Sequence, residues 1–206
     1  GGGGGGGGGG TDAEPHYDIV ENLGARKLDA IEADTYWCVS KLLDGIQDHY
    51  TFAQPGIQTM LFKLQELIHR VDLPLYNHLE EQTAQFIQFA FRWMNNLLIR
   101  ELPLHHIVRM WDTYLSDENG QGFATFHAYV CASFLVRWSS QLRQIEFQEI
   151  VMFLQNVDQQ TENWKAEDIE LLLSQAFMWH AIFSGAEAHL KANKSGSSLL
   201  GGGDGR

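Results

Sequence analysis

Apolar positions recur at helical spacing along almost the whole chain. Ile31, Ala33, Trp37, Leu42, Leu43 and Ile46 fit one helix. Ile57, Met60, Leu61, Leu64, Leu67, Ile68 and Val71 fit a second, opened by Pro55. Pro74 opens a short third, through Leu75 and Leu79. In the next segment Phe86, Phe89, Ala90, Trp93, Met94 and Leu97 form one stripe while Ile87, Phe91 and Leu98 form another, which predicts a helix buried on two faces. Pro103 suits the first turn of a following helix, whose apolar positions are Leu104, Ile107, Val108, Trp111 and Leu115. The stretch 116–122, SDENGQG, is rich in turn formers and reads as a loop. Beyond it Phe123, Phe126, Val130, Phe134, Leu135 and Trp138 mark another buried helix. Phe147, Ile150, Val151 and Leu154 mark an amphipathic one, and Ile169, Leu172, Leu173, Ala176 and Phe177 the last long one, running towards Phe183. No strand pattern or hairpin dipeptide interrupts the series. The predicted fold class is all-α, a multi-helix orthogonal or irregular bundle with Phe89, Trp93, Leu97, Trp111, Phe134 and Trp138 in its core.

Composition narrows the picture at both ends. Ten leading glycines make residues 1–27 read as a low-complexity run and linker, and 185–206 as a flexible Ser/Gly-rich tail. Residues 28–184 are then the folded part, enough for one domain with its own core. The formal net charge of −12 disfavours nucleic acid and anionic membrane surfaces, which select clustered cations. The longest apolar stretch, 129–136, is closed by Arg137 and is too short to span a bilayer. Cys38 and Cys131 both lie in apolar helical patterns and are expected as buried free thiols. No signal peptide and no initiator methionine is visible, so the chain is expected to be a processed product or a fragment.

Chemistry of its own is hard to find in this sequence. The nine histidines form no His-Glu-x-x-His, and no Cys-x-x-Cys, Gly-x-Ser-x-Gly or phosphate-binding glycine loop occurs. Glu66 and His69 share the spacing of half a di-iron motif without a second copy. His105 and His106 are adjacent, about 100° apart on a helix, and cannot face one ion. No metal site and no catalytic residue is expected. Asn95 and Asn96 read as satisfied amides or as groove-facing residues.

The densest stretch of the chain carries a resemblance. Phe91-Arg92-Trp93, then Arg100-Glu101-Leu102-Pro103, then Arg109-Met110-Trp111-Asp112, spread over two consecutive helices, resemble the TBC domain of Rab GTPase-activating proteins. The segments 32–38, 50–56, 151–155 and 176–180 fit the same family, so the match runs over about 31–180. The family activates a Rab-family small GTPase in trans, with an arginine finger in an Ile-x-x-Asp-x-x-Arg motif and a glutamine finger in a Tyr-x-Gln motif. Neither motif occurs here: Tyr50 and Gln54 have the wrong spacing. In the family both fingers precede the segment matched.

The resemblance therefore implies the C-terminal half of a TBC domain, lacking the fingers and inactive alone. Its implied partners are a Rab and the N-terminal half of the same domain, with no nucleic acid and no direct membrane insertion. No cofactor is implied, since GTP and Mg would belong to the Rab. A cytoplasmic protein, peripheral at Golgi or vesicle membranes through the Rab, is the implied location. The alternative from another class is a non-catalytic helical adaptor. Arg92, Trp93, Arg100, Arg109, Trp111 and Asp112 are expected to be structural, Asp112 pairing across helices with Arg92 or Arg100, and preferably with Arg92. Tyr50, Phe52 and Gln54, in a loop between two helices, are the expected partner contacts.

Overall fold

The structure is a computed structural model in which residues 23–117 and 120–197 are described, with side chains to residue 184. The glycine run and the last residues of the tail lie outside the described residues. Among the described residues there are helices and turns and no strand, as the apolar spacing predicts. The chain divides into two units, Gly1–Leu42 and Leu43–Arg206.

Helix α1 (Ala25–Asp44) accounts for the described part of the first unit. It is amphipathic, yet none of its residues is buried. Trp37 is 70% exposed, so the helix that the spacing predicts forms without its apolar stripe being buried. Cys38 is exposed for the same reason and is not the buried thiol expected, whereas Cys131 is. Ile46, assigned to this helix by spacing, lies past its end and is fully buried in the second unit.

The second unit opens with a 3-10 turn (Gln47–His49), followed by α2 (Pro55–Val71) and α3 (Leu73–Glu81). Then come α4 (Phe86–Asn95), α5 (Leu104–Leu115) and a π-turn (Gly122–Phe126) leading into α6 (His127–Val136). The short α7 (Ser139–Leu142), α8 (Phe147–Gln155), the short α9 (Asp158–Thr161) and the long α10 (Ala166–Ser197) complete it. The backbone of α10 is helical as far as Ser197, into the stretch expected to be tail. Local chemistry sets the boundaries. Asp72 ends α2 and caps α3, its carboxylate accepting from Leu75 N at 3.0 Å. Reciprocal capping boxes, Gln85 with Gln88 and Glu146 with Glu149, start α4 and α8.

Helix α6 occupies the centre. Every residue from His127 to Leu135 is buried, because α2, α4 and α10 pack around it. An all-round apolar helix can only sit inside. The sequence pointed to α4 for that place, but Ile87 is 45% exposed and Phe91 is half-buried. Leu97 and Leu98 are buried beyond the end of α4, in left-handed conformation at φ 54° and 61°. Phe89, Trp93, Leu97 and Phe134 lie in the core as predicted. Trp93 meets Phe89 edge-on at 5.5 Å and Phe134 at 5.2 Å. Trp111 and Trp138 are only half-buried. Each lies at the rim, its ring edge-on to a phenylalanine, Phe123 or Phe153.

One polar group lies at the heart of this packing. His127, fully buried, accepts from Tyr114 Oη at Nδ1 (2.8 Å) and donates from Nε2 to Trp93 O (3.0 Å). A carbonyl can only accept, so Nε2 carries a proton, and burial keeps the ring as a whole neutral. Burial lowers its pKa to about 4, against the opposing pull of the Trp93 carbonyl.

Two measurements check this core. Trp93→Ala removes a fully buried indole and should cost roughly 3–5 kcal/mol in chemical denaturation. His127 is neutral in the fold but ordinarily titrates near 6.5, so protons favour the unfolded chain as pH falls from 6.5 towards 4. Up to about 3 kcal/mol is lost over that window and is present in full above it. His127→Gln, which keeps a donor and an acceptor, should lack this part of the acid sensitivity. Identical pH profiles would show that His127 is not held neutral.

Candidate functional site

Three arginines of the second unit are each held by a carboxylate. In the last turn of α4, Arg92 Nε donates to Glu101 Oε1 at 2.5 Å, and its Nη2 to Gln155 O at 2.7 Å. Gln155 Nε2 in turn donates to Gln88 O at 3.1 Å, so α4 and α8 are clasped by two side chains. Glu101 is fully buried and Arg92 is 30% exposed. The left-handed pair Leu97–Leu98 bends the chain so that Glu101 returns to Arg92 only nine residues after leaving it. The Glu101 carbonyl accepts from Thr161 Oγ1, which fixes α9 to the same turn. Burial pushes the Glu101 carboxyl above its ordinary range, and the Arg92 guanidinium opposes this with its charge and its hydrogen bond. Desolvation is the larger effect, as for ion pairs placed inside proteins.

Arg109, on α5, grips Glu170 of α10 with two bonds, Nε–Oε1 at 2.6 Å and Nη2–Oε2 at 2.9 Å, and donates from Nη1 to Thr113. Both partners are about half exposed, so this pair orients α5 on α10 more than it stabilises them. Arg137 donates to Asp168 at 2.5 Å and lies over the Trp164 ring at 4.7 Å.

The expected interhelical bond from Asp112 to Arg92 or Arg100 is absent. Asp112 is exposed and in no salt bridge among the described residues, while Arg92 belongs to Glu101. On α5 the buried positions are His106, Ile107, Met110 and Tyr114, which turn Asp112 outwards. Glu101, Glu170 and Asp168 were missed as partners. Glu101 was visible as a carboxylate followed closely by Pro103, between two helices that must pack. Nothing local signals the other two.

The loop 50–56 carries the other candidates. Tyr50 Oη donates to Asn95 O at 3.0 Å, satisfying a carbonyl that the end of α4 leaves open. Asn95 Nδ2 donates to Asn96 Oδ1 at 3.3 Å, so the two amides answer each other at the half-buried helix end. Phe52 is 99% exposed. Gln54 is half-buried and left-handed at φ 46°, placed to start α2 at Pro55. Gly56 cannot be replaced cheaply, since a Cβ would overlap Asp48 and His49. Tyr50 and Phe52 are therefore presented at the surface and Gln54 is mainly a hinge into α2.

Among the described residues no three metal-ligating side chains come together, and no helix is long and apolar enough to cross a membrane. Glu66 lies 3.9 Å from Arg70, and His69 meets the Tyr76 ring edge-on at 4.8 Å. His106 is buried with Nε2 3.1 Å from Trp164 O.

The two carboxylates differ in burial and should differ in cost. Asp112→Ala should lose less than about 1 kcal/mol. Glu101→Ala strands a partly buried guanidinium and should lose roughly 2–4 kcal/mol by chemical denaturation. Equal losses would contradict the pairing.

Residues 23–143 match the Rab-GTPase-TBC domain family. The chain is 58% identical over 161 residues to the GTPase-activating protein gyp1 of Schizosaccharomyces pombe, covering 78% of this chain and 31% of that protein. It is 53% identical over 173 residues to human TBC1 domain family member 22A, covering 84% of this chain and 33% of that one. The crystal structure of the Ypt/Rab-GAP domain of Gyp1p superposes with a TM-score of 0.74 at 46% identity, covering 80% of this chain and 50% of that chain. The chain thus spans about a third of the curated relatives it matches and half of the solved domain. The all-helical fold, the arginine-rich stretch 91–115 and a match over more than half of its residues agree: this chain belongs to the Rab-GTPase-TBC domain family.

Proposed function

We propose that this chain is the C-terminal subdomain of a Rab GTPase-activating protein. It supports a finger-bearing half, offers part of the surface that meets the Rab, and does not accelerate GTP hydrolysis alone. The reading rests chiefly on how its arginines are used. A finger must leave its own protein to neutralise charge on the transferring phosphoryl group, where it contributes roughly 10³–10⁵ in rate. Arg92, Arg109 and Arg137 are instead engaged by Glu101, Glu170 and Asp168. No Ile-x-x-Asp-x-x-Arg and no Tyr-x-Gln occurs in the sequence to supply either finger.

The companion half has a natural seat on α1. Leu28, Ile31, Tyr36, Trp37 and Val39 are exposed there, within the residues that match the family. Large apolar groups uncovered on one helix mark a surface that another protein segment covers. Tyr50 and Phe52 serve as Rab contacts, with Gln54 holding the loop. GTP and Mg belong to the Rab, and the protein is cytoplasmic, reaching Golgi or vesicle membranes through that Rab.

Single-turnover GTP hydrolysis by a panel of Rabs tests this, comparing the chain with a parent protein that contains both halves. Only the parent should raise the rate. Acceleration by the chain alone would show that one of its arginines acts as a finger. A parent inactive on every Rab would favour the adaptor.

A further inference from the structure

Among the described residues five non-glycine positions have positive φ, and four of them fall in two loops. Ala53 and Gln54 (64° and 46°) end the loop before α2; Leu97 and Leu98 (54° and 61°) begin the one between α4 and α5. Such a residue is strained and persists only where its surroundings over-determine it. The surroundings here tie the two loops together. One bond makes the link, from Tyr50 Oη to Asn95 O at the end of α4, while Gln54 N to Thr51 O and Leu98 N to Trp93 O brace each turn from within.

What these fastenings present is unusual for the surface of a single chain. Phe52 is 99% exposed and Ile99 47% exposed, and Arg100 is exposed. Arg100, unlike Arg92, Arg109 and Arg137, is in no salt bridge among the described residues. An exposed aromatic and an exposed guanidinium outside any salt bridge, on two linked loops, are residue types that dominate interface hot spots. Holding both in advance lowers the ordering cost of binding. On a chain of net charge −12, an exposed arginine also provides local attraction for an acidic partner surface.

We propose that loops 50–54 and 97–100 form one docking edge, in which Phe52 enters an apolar hollow of the Rab and Arg100 pairs with a carboxylate beside it. The inference rests on the reading that this half faces a Rab, and adds the chemistry of the contact.

Binding of the chain to a panel of Rabs loaded with a non-hydrolysable GTP analogue, by biolayer interferometry, tests it. Phe52→Ser and Arg100→Glu should each weaken binding about tenfold or more, with circular dichroism unchanged because both side chains are exposed. Phe52→Leu should retain most of the affinity, and the Arg100→Glu loss should shrink at high salt. Tyr50→Phe, which removes only the fastening to Asn95, should weaken binding less than Phe52→Ser. Binding of wild-type strength by both Phe52→Ser and Arg100→Glu overturns the docking edge while leaving Rab contact elsewhere on this half intact. A wild-type chain that binds no Rab overturns the functional reading and the edge with it.

Discussion

The second unit is organised around a neutral imidazole with no access to water. His127 needs one donor and one acceptor, which Tyr114 Oη and Trp93 O supply, with Cys131 Sγ also 3.4 Å from Nε2. Those two partners come from α5 and α4, so a single ring fixes three helices in register. Trp93 O also accepts from Leu98 N, which turns the chain sharply at the end of α4. That turn, through two left-handed leucines, is what returns Glu101 to Arg92. Leaving the buried imidazole without either partner costs that group its desolvation, which favours this one arrangement.

Within that frame the arginines have unequal weight. Arg92 joins a buried carboxylate to the carbonyl of Gln155 and so connects α4, α8 and the turn before α5. Arg109 and Arg137 join exposed or half-exposed carboxylates of α10 and contribute direction rather than large stability. All three secure contacts between helices of one chain. Arg100 stands apart, exposed and in no salt bridge among the described residues, although its charge also acts on the neighbouring Glu101. Pairing, not exposure, separates Arg100 from Arg109 and Arg137, which are exposed as well.

Much of this was legible in the spacing of apolar residues, and the misses have physical causes. The helical class, and Phe89, Trp93 and Phe134 as core, follow from periodicity because burial dominates their placement. Periodicity identifies a face without saying what covers it, which is why Cys38 of α1 was expected to be buried and is exposed. Both α4 and α6 are apolar, and only the packing of α2 and α10 shows that α6 takes the centre. Asp112 beside Trp111 suggested a buried ion pair, but one step along a helix is about 100° and suffices to turn it to solvent. The pairing of Arg92 with Glu101 depends on Leu97 and Leu98 adopting a conformation that leucine rarely takes, which no local propensity announces. Tyr50 and Phe52 were legible as a loop between two helices, while the fastening to Asn95 was not.

That the arginines of the helical core serve the fold is read most directly from the exchange of their own Nε protons with water, by nuclear magnetic resonance. Arg92 Nε–H, bonded to a fully buried carboxylate, should give a resolved signal exchanging at least roughly tenfold more slowly than that of exposed Arg100. Equal exchange at the two sites would contradict the account, since it would mean that Arg92 is free to leave Glu101 and reach another protein.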